Sequence, residues 1–236
     1  MTLRQAQGQP EQGRGLRLLI VGYGKMGRLV ELLANEQGID IVGRVDEGRD
    51  EWAPADVAVD FTTAEALVQN FAHYVERRLP VVIGTTGWSS HAARLRAEAE
   101  SVNLGVVASA NFSIGVNIFQ LVVGEAARLM RQQPEYGAWI HELHHVTKRD
   151  APSGTALLLR DTIAAAGYDR AVDMSSNRAG TIPGTHTVGF DGSSDTIELT
   201  HAARDRRGFA GGALVAARWI QGRQGWYTMA DVIRGS

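Results

Sequence analysis

An apolar run, Leu16-Arg-Leu-Leu-Ile-Val21, stops at a glycine, and further glycines follow at 24 and 27 before a segment with helical spacing of Leu29, Leu32 and Leu33. A short apolar run closed by a turn residue reads as a buried strand. Few folds send a strand through G-x-G-x-x-G into a helix. Gly22 suits the tight turn, Gly24 lets the backbone approach a pyrophosphate, and Gly27 lets the helix lie close on the sheet. The helix start offers free amides and a partial positive charge to an anion. Tyr23, Lys25 and Met26 fill the intervening loop positions, and Asp46 ends the next expected strand, where a carboxylate can accept from ribose hydroxyls. The same glycines would also suit a turn with no ligand, so the context has to decide.

The context is a repeated alternation. Strands are expected over Ile39–Val45, Asp56–Phe61, Pro80–Ile83 and Gly105–Ala108, and helices over Arg28–Gln37, Ala64–Arg77 and Ser89–Ser101. Short links between them argue for a parallel sheet with helices on both faces. Beyond Ser109 the rhythm changes. Helical patterns are expected over Asn111–Arg131, Thr155–Ala166 and Gly212–Gln221, strands over Trp139–Val146, Thr181–Phe190 and Thr196–Ala202, and a closing segment over Trp226–Ile233. The expected fold class is α/β: a Rossmann-type dinucleotide-binding domain (residues 16–109 and 212–236) plus an α+β second domain with an open mixed sheet (110–211). Residues 1–15, rich in Gln, Gly, Arg and Pro, read as a disordered lead-in without the apolar core of a signal peptide.

Composition narrows the function. With 44% hydrophobic and 21% charged residues, 236 residues can bury a real core. A formal charge of −2 and a pI near 6.4 argue against a nucleic-acid partner, and no apolar run is long enough for a membrane span. The absence of cysteine excludes a disulfide scaffold, a thiolate nucleophile and a thiolate metal site, and suits the cytoplasm. Asp46 followed by Glu47 should repel a 2′-phosphate, which leans towards NADH. Lys25, Arg44 and Arg49 are cations that would admit NADPH, so dual use stays open. Two further loops at strand ends, Phe61-Thr62-Thr63 and Gly84-Thr85-Thr86-Gly87, offer uncharged hydroxyls and amides beside a nicotinamide, or are ordinary turns.

Two readings compete for His141-Glu142-Leu143-His144-His145. On a helix, H-E-x-x-H would put His141 and His145 on zinc with Glu142 as the base of a hydrolase. The alternating, aromatic-flanked stretch suits a strand instead, and no third ligand follows, so no metal is expected and His141 reads as a core or surface residue. The other reading is a proton-transfer site. His144, His145 and Lys148 precede Ser153-Gly154-Thr155, which sit where a helix should begin. That helix start is a carboxylate cradle as readily as a plain N-cap. A dianionic small substrate, a nicotinamide and a proton donor together describe hydride transfer. A non-catalytic nucleotide sensor of the same fold is a third possibility.

Several motifs fall in a set order: Val21-Gly-Tyr-Gly-Lys-Met-Gly27, Asp60-Phe-Thr62, Gly84-Thr-Thr-Gly87, Ser109-Ala-Asn-Phe-Ser-Ile-Gly-Val-Asn117, His144-His145 with Lys148, Asp150-Ala-Pro-Ser-Gly-Thr-Ala156, Arg178-Ala-Gly180, Gly184-Thr-His186 and Phe209-Ala-Gly-Gly-Ala213. From about Leu16 to Ile233 the chain resembles the 4-hydroxy-tetrahydrodipicolinate reductase (dihydrodipicolinate reductase) family. The resemblance implies NADH- or NADPH-dependent reduction of 4-hydroxy-tetrahydrodipicolinate, with loss of water, in the diaminopimelate route to lysine. It implies His144 as proton donor and acceptor, Lys148 as a second proton donor, and His145, Ser153, Gly154 and Thr155 on the substrate. It implies cofactor contacts from Gly22 to Gly27, Asp46, Phe61, Thr62, Gly84, Thr85, Thr86, Ser109, Ala110, Asn111 and Phe112. To the second domain (110–211) it adds substrate binding and oligomerisation, as a homotetramer joined through that domain, and it implies no catalytic metal. Glu47 stands where some relatives carry Arg, and Val146-Thr147 departs from the family between the histidines and Lys148.

Overall fold

The structure is a computed structural model and describes residues 15–235. All of the expected lead-in except Gly15 lies outside the described residues. Along the chain the elements are β1 (Arg17–Val21), α1 (Lys25–Glu36), β2 (Asp40–Asp46), β3 (Arg49–Asp50), β4 (Val57–Asp60), α2 (Ala64–Arg77), β5 (Val81–Ile83), α3 (Ala92–Ser101), β6 (Gly105–Ala108), α4 (Ile114–Met130), β7 (Gly137–His144), α5 (Gly154–Ala165), β8 (Val172–Arg178), β9 (Thr185–Asp191), β10 (Thr196–Ala202), α6 (Arg207–Trp219), β11 (Gly225–Tyr227) and α7 (Met229–Arg234).

The first sheet has seven strands in the order β11-β6-β5-β4-β1-β2-β3, parallel throughout except that β3 runs antiparallel to β2. Period-two alternation divides the sheet's apolar residues between two layers. Leu18 and Ile20 of β1 pack with Val30 and Leu33 of α1 and with Ala213, Leu214 and Ala217 of α6. Leu19 and Val21 face the other way, onto Leu67, Phe71 and Tyr74 of α2 and Leu95 of α3. Each such fully buried Leu or Phe contributes roughly 1.5–3 kcal/mol. The strand order reverses at β1, whose neighbours are β2 and β4. A crevice opens at the carboxyl ends of strands at such a switch point.

The second sheet has the order β10-β9-β7-β8, with β7 and β8 parallel and the other pairs antiparallel. It is the open mixed sheet that was expected. One face carries Ala138, Ile140, Val188 and Phe190 onto Phe119, Val123 and Ala127 of α4 and Leu159 and Ile163 of α5. The other face is a polar row. His141 pairs with Ser175 at 2.7 Å, and Thr187 pairs with Thr200 at 3.0 Å. On that side Trp139 lies across Gly189, where an added Cβ would sit 2.1 Å from the indole.

β11 returns to the edge of the first sheet beside β6, and α6 and α7 cover the α1 side of it. Several boundaries differ from expectation. α1 begins at Lys25, α6 begins at Arg207 rather than Gly212, β9 begins at Thr185 rather than Thr181, and β8 was not expected at all.

Candidate active site

The glycine loop is shaped by contacts that only glycine satisfies. Gly22 has φ +87°, and a Cβ there would lie 2.5 Å from the Phe61 carbonyl oxygen; a Cβ on Gly27 would lie 2.2 Å from the Gly22 carbonyl oxygen. Gly24 has nothing within 4 Å of such a Cβ, so its surroundings are open. It caps α1 with no side-chain hydrogen bond and no acidic residue in the first turn, which leaves the helix start available to an anion. Gly22, Gly24, Asp46, Glu47, Arg49, Phe61 and Thr62 line one cavity of about 1000 Å³ at the β1–β4 switch point. The volume of this crevice, the uncapped α1 start and the Asp46 carboxylate fit a dinucleotide. Tyr23, Lys25 and Met26 do not line it: the Tyr23 hydroxyl donates to Glu31, which also pairs with Arg44.

The two threonine loops meet through a buried carboxylate. Asp60 accepts from Thr62 Oγ1 at 2.6 Å, Thr85 Oγ1 at 2.8 Å and the Tyr74 hydroxyl at 2.7 Å. Burial pushes the Asp60 carboxyl above its ordinary range, against those donors. Thr85 is buried and Thr86 exposed, and Gly84 is glycine because Phe61 occupies its side-chain space.

A second cavity, of about 1020 Å³, brings together His144, His145, Lys148, Ser153, Gly154 and Thr155, along with Ala110 and Asn111 from the link that leaves β6. Ser153 caps α5, its side chain accepting from the Ala156 amide at 3.2 Å. Lys148 Nζ is held by both carboxylate oxygens of Asp150, at 2.8 and 2.9 Å. His145 pairs with Thr147 at 2.7 Å. Ser109 stays near this region and accepts from the Asn111 amide at 3.2 Å. Phe112 does not reach either cavity: its ring is buried in the core between α1 and α6, so no side-chain contact with a ligand is open to it.

Beneath the second cavity lies a set of charges that sequence reasoning did not assemble. Glu142 and His144 are two apart on β7 and share its inward face. Glu142 is fully buried; its Oε1 accepts from Arg178 Nη2 at 2.7 Å and from the Ser153 amide at 3.2 Å. Its Oε2 lies against His144 Nδ1 and 4.0 Å from His186 Nε2. Burial would raise the Glu142 carboxyl, but Ser176, Arg178, Ser153 and the His144 charge hold it at about 2. Burial pushes His144 below the ordinary imidazole range, helped by Lys148 and Arg178 and opposed by Glu142; burial and His144 bring His186 to about 4. The free site therefore favours a neutral His144.

This geometry overturns the zinc hydrolase alternative. Residues 141–144 form a strand, so His141 and His145 cannot meet as they would one turn apart on a helix; four strand residues span about 13 Å. His141 faces the opposite side of the sheet from Glu142. Ligand atoms of Glu142, His144 and His186 do lie within 4.8 Å of one another, but Arg178 already places a cation on that carboxylate.

Residues 16–112 match the family profile for the dihydrodipicolinate reductase N-terminus, and residues 115–233 match that for its C-terminus. The chain belongs to the dihydrodipicolinate reductase family. A 4-hydroxy-tetrahydrodipicolinate reductase of Christiangramia forsetii is 34% identical, covering 92% of this chain and 98% of the relative. One of Archaeoglobus fulgidus is 38% identical, covering 92% and 100%. A solved dihydrodipicolinate reductase from Paenisporosarcina sp. TG-14, with dipicolinate bound, shares the fold at a TM-score of 0.77 and 22% identity, covering 91% of this chain and 98% of that one. Arg178 and His186 stood in the family motifs without a role. The signal that could have joined them to Glu142 was strand parity, which puts Glu142 and His144 on one face.

Proposed function

We propose that this chain reduces 4-hydroxy-tetrahydrodipicolinate to tetrahydrodipicolinate with a nicotinamide dinucleotide and loss of water, in the diaminopimelate route to lysine. One observation carries the reading. The cavity that gathers His144, His145, Lys148 and the start of α5 is also lined by Ala110 and Asn111, which continue directly from β6 of the nucleotide-type sheet. A substrate seated there lies beside the carboxyl edge of that sheet.

The division of labour follows. Residues 16–109 with 212–236 bind the dinucleotide, and 110–211 bind substrate and assemble. Gly22 to Gly27 hold the pyrophosphate, Asp46 the ribose, and Phe61, Thr62, Gly84, Thr85, Thr86 and Ser109 to Phe112 the nicotinamide end, with Phe112 acting through its backbone. The bound dinucleotide supplies hydride. Gly154 and Thr155 amides at the α5 start, with Ser153 and His145, hold a carboxylate of the dianionic substrate. Hydride addition leaves an electron-rich neighbouring atom, and His144, with Lys148 as a second donor, delivers the proton. A dicarboxylate beside His144 opposes the effect of burial and returns the ring towards its protonated form. The same carboxylate draws Lys148 away from Asp150.

Asp46 and Glu47 both line the nucleotide crevice and disfavour a 2′-phosphate, while Arg49 lines it too. We therefore assign NADH, or dual use with NADPH. The uncovered polar face of the second sheet supports a homotetramer built through it. Among the described residues no helix is long and apolar enough to cross a membrane. A biosynthetic reductase without cysteine suits the cytoplasm, and nothing in its charge calls for nucleic acid.

The test is a coupled assay. Freshly synthesised pathway substrate is supplied with NADH or NADPH, and loss of reduced nucleotide is followed. Turnover with NADH at least equal to that with NADPH is expected. Tight NADH binding without turnover would identify a nucleotide sensor instead and end the proposal.

A further inference from the structure

His144 is set by groups that never reach the cavity. Its Nδ1 is sealed from solvent and lies against Glu142 Oε2. The opposite edge of the ring lies beside Gly184, where an added Cβ would come within 3.0 Å of Nε2; Thr181 and Pro183 of the same loop line the substrate cavity. The carboxylate itself is immobilised. Arg178 Nη2 joins it to β8 and also donates to the Asp150 carbonyl at 2.5 Å, beside Lys148. The Ser153 amide joins it to the α5 cap, whose hydroxyl pairs with His186 at 3.0 Å. One buried group thus touches the histidine, the start of the carboxylate cradle and the arginine behind the lysine loop. Burying a carboxylate this completely is costly unless every lone pair is used.

We propose that Glu142 is a positioning residue for the reaction: clamped by Arg178 and the Ser153 amide, it holds the His144 ring with Nδ1 protonated and inward, so that Nε2 is the atom that exchanges a proton with substrate. This rests on the role given to His144 above. A carboxylate on the inner nitrogen fixes tautomer and ring plane and stabilises the imidazolium when it forms. Because the same carboxylate orients Ser153, the proton-bearing atom and the substrate-holding amides keep a fixed spacing.

The charged and titratable groups facing the ring are Glu142 of β7, Arg178 of β8, His186 of β9 and Lys148 of the following loop. Of these only Glu142 favours the protonated ring. Glu142→Gln should lower kcat about 10–100-fold and leave the NADH KM within about twofold. It should also move the limb of the kcat/KM profile that belongs to His144 to lower pH. Glu142→Asp, which keeps the charge at shorter reach, should recover part of the loss. In wild-type protein with 15N-labelled histidine, the His144 signal, assigned by its absence in His144→Gln, should report a proton on Nδ1 in the neutral ring.

The arms separate the two ideas. Loss of turnover in His144→Gln with a wild-type kcat and pH profile in Glu142→Gln overturns the positioning role alone. Full turnover in His144→Gln overturns the catalytic reading and the positioning role with it. If Glu142→Gln fails to fold, the wild-type spectrum decides: a proton on Nε2 refutes the proposal, and a proton on Nδ1 upholds it.

Discussion

The amide of Thr62 donates to Thr85 Oγ1 at 2.7 Å, although the two residues lie in loops that follow different strands. The Asp60 carboxylate accepts from both hydroxyls, so the loops after β4 and β5 are set by one buried group. Asp60→Ala should cost about 2–4 kcal/mol, because it strands the buried Tyr74 hydroxyl and Thr85. It should also weaken NADH binding. Denaturant titration and a fluorescence binding curve check both, and an unchanged midpoint with unchanged affinity would show that the loops hold themselves.

Two glycines of the nucleotide loop should fail differently. Gly22→Ala forces a side chain onto φ +87° and against the Phe61 carbonyl, and should lose about 1–3 kcal/mol of stability. Gly24→Ala meets nothing in the protein and should hold its stability to within about 0.5 kcal/mol. It should nevertheless bind NADH more weakly, since its Cβ projects where the pyrophosphate is placed. Equal behaviour of the two variants in thermal melts would falsify this assignment of the loop.

His144→Ala and Lys148→Ala should each reduce kcat by about 10²–10⁴-fold while NADH affinity stays near that of the wild type. The pH profile says which group delivers the proton. If it is His144, held below its ordinary value in the free protein, kcat/KM falls as pH rises through a pKa under 6.5. A profile without that fall would take the step away from His144. Matched losses of turnover and nucleotide affinity would remove both residues from the chemistry.

Acid should unfold the protein early, and two buried groups say where. His186 takes its proton at about 4 when folded, against 6.5 for an ordinary histidine, so the unfolded chain binds more protons between those values. Its contribution is complete above pH 6.5 and is lost as pH falls to 4, a change of about 3 kcal/mol. Glu142, held at about 2 against 4.5, loses its contribution in the next window, from pH 4.5 down to 2. Equilibrium unfolding at pH 7, 5.5 and 4.5 measures the first slope, and a His186→Gln variant should flatten it.

Some of this was legible because local signals and tertiary contacts agree. α2 spans the expected Ala64–Arg77: Thr63 caps it, and Leu67, Phe71 and Tyr74 repeat on its buried face. α6 starts five residues ahead of the expected Gly212, across Gly208 and Gly211, which weaken helical propensity. Tertiary packing overrides that: a Cβ on Gly212 would lie 1.7 Å from the Phe112 carbonyl oxygen, so the glycine lets the helix approach. β8 carries no strand signal in the sequence because Val172–Arg178 is a largely exposed edge strand, polar at Asp173, Ser175, Ser176 and Asn177. The residues of the substrate cavity came from motif order. The support beneath them did not, because Arg178 and His186 reach Glu142 only through cross-strand register, which one-dimensional spacing does not carry.

The late return of β11, α6 and α7 to the first sheet bears on how the chain is made. Ala213, Leu214, Ala217, Met229 and Val232 close the layer that covers Leu18 and Ile20. During synthesis the amino-terminal strands must wait, with part of one oily flank bare, until translation has passed residue 232. A nascent chain stalled short of that point should expose that apolar flank and recruit chaperones.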